Sequence, residues 1–405
     1  MKAAMTQRPR ITLKKDAHRR IVGGHPWVFS NEVVMDARAK AIPPGTVVTV
    51  DTAGGDAVAT AHFNPHTLIA ARVLDRARDA VIDQDWFRAR LAGAATLRDR
   101  LVGDPYYRLA HAEADGLPGL VIDRFGDVVV VQPNTAGMDA AVPIIIDALR
   151  HVLQARAVVV RGESGARRLE GLGDRAECLL GALDGAVGLR ENGLAFFADP
   201  MAGQKTGWFF DQRDNRALAA NLTRGFGADA RVLDLFTHTG GFATACAAAG
   251  AAKVVAVDSS APALDLAARA AAANALDGRC RFERADVFDY LEAATEAYDL
   301  VVADPPAFAK SRKDMKVGLQ GYRKLARLAA RRVAPGGMLM IASCSHHAAI
   351  ADFTAAVTDG LGAAGRPLRI VRTSGAALDH PVHPELPESA YLKMLTLALD
   401  HPANK

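Results

Sequence analysis

From Val232 onward the chain alternates short apolar runs with helix-length stretches, and no other property of the sequence restricts its fold as tightly. Val232-Leu233-Asp234-Leu235-Phe236 precedes Gly240-Gly241 and a helical stretch over 242–249. A strand over 253–258 precedes an Ala-rich helix over 261–273, and a strand over 279–284 precedes a helix after Asp286. A strand reaching Asp304, a helix over 320–333, a strand reaching Cys344 and a helix over 347–361 continue the pattern. Two late strands, 368–371 and 391–399, have no helix between them and are expected to pair antiparallel. Parallel strands need crossovers, and helical crossovers cover both faces of the sheet they connect. The expected class is α/β, with a Rossmann-like sheet in this part of the chain.

In such a sheet, ligands bind outside the carboxyl ends of the strands, so the residues there carry the chemistry. A dinucleotide fold would place G-x-G-x-x-G after the first strand; this chain has Asp234-Leu235-Phe236-Thr237-His238-Thr239-Gly240-Gly241-Phe242 instead. Asp234 would repel a pyrophosphate but suits a cationic ligand, and the paired glycines permit close backbone approach. Asp258 ends the second strand, where an acid accepts ribose hydroxyls, and Asp286 ends the third, within reach of an adenine amino group. Each aspartate alone equally suits a helix N-cap. Taken together, the three favour S-adenosylmethionine over a nicotinamide. Two further strand ends bring Asp304, in Asp304-Pro305-Pro306-Ala307-Phe308, and Cys344, in Ser343-Cys344-Ser345, toward one cleft. A thiolate is well suited to add to carbon 6 of a pyrimidine, which turns carbon 5 into a nucleophile. Cytosine and uracil both activate this way, so residue chemistry leaves the base open.

Upstream, residues 11–86 read as short strands broken by turns such as Pro43-Pro44-Gly45 and Gly54-Gly55-Asp56, the pattern of a small β-barrel. A helix over 85–101 leads into an α+β stretch with strands at 119–123 and 127–132, a helix over 140–153 and a strand at 157–161. The expected domains are 8–90, 95–190 and 191–405, which suits a chain of 405 residues, half of them hydrophobic. No apolar run approaches the roughly 20 residues of a membrane span. The basic N-terminus lacks the apolar core of a secretory signal, so a cytoplasmic location is expected. Cys178, Cys246, Cys280 and Cys344 are scattered without zinc-ligand spacing, so neither a metal nor a disulfide framework is expected. The formal charge of +4 is concentrated near the start, where Lys2, Arg8, Arg10, Lys14, Lys15, Arg19 and Arg20 precede Trp27. Such a basic end is either a phosphate-binding footprint or a solvated surface.

Glu191-Asn192-Gly193, the run from Gly203-Gln204-Lys205-Thr206-Gly207 through Asp211-Gln212-Arg213, Thr239-Gly240-Gly241-Phe242, Asp304-Pro305-Pro306 and Ser343-Cys344-Ser345 together resemble the RlmI-type class I large-subunit ribosomal RNA methyltransferases. Gly23-Gly24-His25-Pro26-Trp27 is similar to the start of that family's PUA domain; Glu113 to Gly119, Asp379 to Pro384 and Tyr391-Leu392-Lys393 also match. The resemblance implies 5-methylcytosine formation in 23S ribosomal RNA or a large-subunit precursor, with Cys344 as nucleophile and Asp304 against the base. It implies S-adenosylmethionine as cofactor. Expected cofactor contacts are Asp234, Phe236, Thr239, Gly240, Gly241, Asp258, Ser259, Asp286, Val287, Lys205 and Arg213; expected RNA contacts are Arg19, Arg20 and Trp27. His238 stands where the family often has an aromatic residue. The alternatives are a guanine N-methyltransferase, which needs no thiol, and a non-catalytic RNA-binding assembly factor. An oligomeric partner is left open.

Overall fold

The alternation in the C-terminal half produces one seven-stranded sheet in the computed structural model, which describes residues 8–309 and 311–400; Lys2 lies outside the described residues. Its strands are β1 (Arg231–Leu235), β2 (Lys253–Asp258), β3 (Cys280–Arg284), β4 (Tyr298–Ala303), β5 (Val333–Ser343), β6 (Leu368–Ser374) and β7 (Lys393–Leu399). They lie in the order β3-β2-β1-β4-β5-β7-β6. The first five run parallel, and β7 pairs antiparallel with both β5 and β6, as the lack of a helix between the last two strands predicts. Strand order reverses between β1 and β4, which creates the crevice where ligands of such sheets bind. Leu235 is in register with Ala303, and Ala303 with Ile341, so Asp304 and Cys344 emerge from neighbouring strands.

The central strands are continuous apolar runs because both of their faces are covered. Leu233, Val255, Val301 and Leu339 pack on one side with the helices Met315–Ala330 and Ile350–Ala363. Val232, Val254, Leu300 and Met340 pack on the other, with helix Gly241–Ala248. Helix Met315–Ala330 begins earlier than the sequence predicts and ends before Val333, which pairs with Tyr298 to start β5. Its Gly318 and Gly321 cost about 1 kcal/mol each in helix propensity. They let the helix approach the loop that follows β4: a Cβ on Gly318 would lie 2.8 Å from Ala309 Cβ, and one on Gly321 2.9 Å from the Phe308 ring. The last helix starts at Ile350 rather than 347, since Ala348 N–H turns back to the Ser345 carbonyl at 3.3 Å. The hairpin Val187–Glu191 with Leu194–Ala198 belongs to the same compact unit.

The other unit holds the described residues up to Gly185, with Pro200–Gly207 and Asp379–Ser389. Its first sheet has the order Arg10–Thr12, Thr46–Asp51, Ala57–Phe63, Ile69–Asp75, Trp27–Phe29, and curls until a bridge between Leu13 and Val33 joins its two ends. Its second sheet runs Ala176–Leu180, Ala157–Arg161, Val128–Pro133, Leu120–Phe125, Tyr106–His111, with helices Gln84–Val102 and Val142–Leu153 on its apolar face. Two excursions of the chain are pinned here by buried groups. Arg161 donates to the carbonyls of Pro200, Met201 and Gly203 at 2.8, 2.9 and 3.1 Å. Asp379 accepts the Arg108 N–H at 2.9 Å and the ring of His380 at 2.8 Å, and its carbonyl takes Arg98 at 3.1 Å. The Asp379-His380 motif therefore has an anchoring task within this unit.

Candidate active site

Asp234, near the end of β1, is fully buried, and one of its oxygens accepts Thr237 Oγ1 at 2.5 Å and the Ala243 N–H at 2.9 Å. The other oxygen, Oδ1, is buried without a hydrogen-bond partner. A buried acceptor in that condition costs about 1–3 kcal/mol unless a ligand satisfies it. Burial, with the nearby Asp258 charge adding to it, holds the Asp234 carboxyl up at about 7, against the pull of its two donors and Arg216.

The loop after β1 is tightly wound. Phe236, His238 and Gly240 have φ of 62°, 51° and 80°, and two of these three residues carry side chains that disfavour such angles. Asp258 holds the loop in this shape, accepting the His238 N–H at 2.9 Å with one oxygen and the Ser260 N–H at 2.9 Å with the other. Thr239 is buried beside His238, Gly240 caps helix Gly241–Ala248, and a Cβ on Gly241 would meet Arg216 at 2.9 Å. His238 meets Phe209 edge-on at 5.1 Å, and burial lowers its pKa to about 4, so a neutral imidazole packs here.

The remaining expected cofactor residues divide. Asp286 caps helix Val287–Ala293, accepting Phe288 and Asp289 N–H with one oxygen at 2.8 and 3.1 Å, while Val287 is buried in the core. Ser259 is exposed, and its carbonyl accepts Arg284 at 3.3 Å. Arg213 opens helix Arg213–Phe226, over the Phe210 ring at 5.5 Å and 4.0 Å from Glu191. Lys205 lies in Pro200–Gly207, within the first unit, at φ 53°. Arg19 pairs with Asp16 at 2.9 Å and Arg20 with Glu32 at 3.1 Å, both on the exposed side of the curled sheet. The Trp27 indole donates to Glu113 at 2.7 Å under Arg72.

Past β4 the half-buried Asp304 carboxyl stands at about 7, raised first by burial and then by the charges of Asp211 and Asp234, and lowered by Gln212 and Arg216. Cys344 is half-buried at the end of β5 and forms no disulfide. Cys246 is fully buried, and burial pushes its thiol up to about 12. Several residues that shape this site went unread in the sequence. Glu191 forms a buried pair with Arg216, at 2.5 and 2.8 Å, and Arg216 lies over Trp208 at 4.4 Å. Asp211 accepts Tyr391 Oη at 2.5 Å. Glu191 and Asp211 stand inside the motifs that carry the family resemblance, and that was their signal; their partners are distant in sequence.

A family model for S-adenosylmethionine-dependent methyltransferases matches residues 171–392, and one for PUA-like domains matches 11–76. The ribosomal RNA large subunit methyltransferase I of Erwinia tasmaniensis is 35% identical over 393 residues, covering 95% of this chain and 98% of its own. That of Aeromonas hydrophila is 36% identical, with 96% and 98% coverage. The chain belongs to this methyltransferase I family. Its fold is that of the class I S-adenosylmethionine-dependent methyltransferases behind a PUA-like domain, and its cofactor is S-adenosylmethionine. A solved structure from Streptococcus mutans, assigned as a SAM-dependent methyltransferase, has the same fold at TM-score 0.79 and 21% identity, covering 96% of this chain and 100% of its own. Another, complexed with S-adenosylhomocysteine, matches at TM-score 0.80 with the same identity and coverage. The residues present fit the cofactor: an unsatisfied buried carboxylate oxygen at Asp234 suits a cation, and the wound 236–240 loop offers a close backbone approach. Among the described residues no helix is long and apolar enough to cross a membrane, and no cluster of His, Cys, Asp or Glu could hold a metal ion.

Proposed function

We propose that this protein methylates carbon 5 of cytosine in large-subunit ribosomal RNA through a covalent adduct with Cys344. The observation that carries the reading is the pairing of Asp304 and Cys344 at the carboxyl ends of adjacent parallel strands, with the Asp304 carboxyl held at about 7. The cofactor supplies a methyl group made electrophilic by a sulfonium. Asp234 would face that positive charge, Asp258 would accept the ribose hydroxyls, and the Asp286 oxygen left over from helix capping would take the adenine amino group. Phe236, Thr239, Gly240, Gly241, Ser259, Val287, Lys205 and Arg213 complete the proposed cofactor contacts.

Cys344 Sγ adds to carbon 6, and the electron pair of the 5,6 double bond moves to carbon 5 and then takes up the methyl. Asp304 donates its proton to the ring and stabilises the charge that builds there. Loss of the carbon 5 proton to water restores the double bond and expels the thiolate, and the ring hands its added proton back to the Asp304 carboxylate. The target base must be unstacked for this, because carbon 6 is unreachable inside a helix. Arg19, Arg20 and Trp27 of a PUA-like domain over 8–90, followed by a central domain over 95–190 and the catalytic domain over 191–405, would receive the RNA. The expected setting is the cytoplasm, on 23S RNA or a precursor particle. Mass-spectrometric mapping of ribosomal RNA from cells with and without the protein tests the reading: one 5-methylcytosine should vanish. Loss of a methylated guanine instead would replace it with N-methylation.

Two expected outcomes concern the cofactor. Asp258→Ala should weaken calorimetric S-adenosylmethionine binding by about 1.5–3 kcal/mol, the range for a hydrogen bond to a charged group, and unchanged affinity would remove Asp258 from the site. Affinity should also depend on pH through Asp234. The cation favours the ionised carboxylate, so below about 7 binding must expel a proton; affinity should fall as pH drops, by at most about tenfold per unit. Calorimetry in buffers of different ionisation enthalpy should register the released proton in the wild type and lose that component in Asp234→Asn.

A further inference from the structure

The residues on both sides of Cys344 are gripped by other elements. Ser343 Oγ donates to Tyr322 Oη at 2.8 Å, and the same hydroxyl lies 2.9 Å from Ser345 Oγ. Ser345 Oγ also accepts the Ala309 N–H at 3.3 Å, from the loop that begins at Asp304. From β7 comes a charge. Lys393 is the cross-strand partner of Ser343, and its Nζ donates to the carbonyls of Ser345 and Ala348 at 2.8 and 2.7 Å. Those two carbonyls belong to the turn that carries Cys344 out of the sheet. A carbonyl is a weak partner for a half-buried ammonium, and among the described residues Lys393 has no carboxylate at ion-pair distance.

We propose that Lys393 is a positioning residue for methyl transfer, its ammonium bracing the Ser345–Ala348 turn and presenting a fixed positive charge that favours the thiolate form of Cys344. The inference rests on reading Cys344 as the nucleophile. Burial draws the Lys393 pKa down while the Cys344 charge draws it up, so the two groups feel each other electrostatically. Among the described residues, the other ionisable groups named around the turn are a tyrosine, two histidines and an aspartate. Tyr322, on the packed helix, has its pKa raised by burial and stays neutral. His346 and His347 are exposed, and His346 stacks on Tyr391 at 5.1 Å. Asp304, past β4, turns anionic only above about 7, where it would oppose the thiolate.

The test is the pH dependence of Cys344 alkylation by iodoacetamide in the full chain, followed by peptide mass spectrometry so that the partly exposed Cys178 and Cys280 are scored separately. Alkylation reads the thiolate directly, so it stays informative even if the methylation chemistry were different. Lys393→Met should move the midpoint up by about one pH unit, the lower end of the effect of an adjacent opposite charge, and slow alkylation below the midpoint by about tenfold. Lys393→Arg should stay near the wild type. Calorimetric cofactor affinity reports that each variant is folded; if Lys393→Met fails that check, Lys393→Gln serves as the neutral variant. A neutral variant with an unmoved midpoint, or an arginine variant shifted as far as the neutral one, overturns the proposal.

Discussion

Cys344→Ala should abolish methyl transfer while S-adenosylmethionine still binds with near wild-type affinity. Without the thiolate, carbon 5 of a pyrimidine has no route to nucleophilicity, and losing a covalent nucleophile removes the whole pathway rather than one stabilising contact. A loss of at least about 10⁴-fold in kcat is expected, the scale on which single members of a catalytic set act. Cofactor affinity should survive because the cofactor contacts proposed above leave Cys344 out. Cys246→Ala, in the packed helix Gly241–Ala248, is the control and should keep activity after any loss of stability is allowed for. A Cys344→Ala enzyme that methylates at the wild-type rate would point to nitrogen methylation.

Asp304→Asn should lower kcat by about 10²–10⁴-fold, the usual contribution of a positioned acid. Its effect on pH dependence is more diagnostic. Wild-type Asp304 donates only while protonated, so the rate should decline as pH rises through about 7, and that limb should disappear in the amide variant. Stability follows the same group with a definite sign. The folded carboxyl holds its proton above the ordinary carboxylate range, so folding loses stability as pH rises from about 4 to about 7. Thermal melts of Asp304→Asn should lack that part of the slope. A variant that keeps both the decline in rate and the decline in melting temperature would assign them to another group.

The parallel sheet was legible because strands covered on both faces must be apolar throughout; Leu300 to Ala303 and Leu339 to Ala342 could hardly be anything else. Tyr106–His111 and Ala176–Leu180 escaped for the opposite reason: the first is interrupted by Arg108 and the second is a largely exposed edge. Acids at strand ends could be located but not assigned. Asp286 shows why, since the residue types that suit a ligand also suit a helix cap, and its carboxylate does cap a helix. Trp27 reads in sequence as an aromatic platform beside cations, yet its indole N–H is taken by Glu113, a residue far along the chain. Tyr322 was silent and Lys393 was marked only by the Tyr391-Leu392-Lys393 match, because each bears on Cys344 only through contacts between distant segments, Tyr322 from the inner face of a helix and Lys393 across the sheet. Glu191 was marked by its motif, but its partner Arg216 is an ordinary charged residue until folding buries the two together beneath Trp208.

The central claim is the covalent step, and RNA carrying 5-fluorocytosine at the target tests it most directly. Fluorine cannot leave carbon 5 as a proton, so once the methyl has been transferred the double bond cannot re-form and the thiolate cannot be expelled. The protein should then run as an RNA-linked species on a denaturing gel, only when S-adenosylmethionine is present, with the crosslink mapping to Cys344 and absent from Cys344→Ala. Methylation of the natural RNA with no trapped species on the fluorinated one would contradict the account.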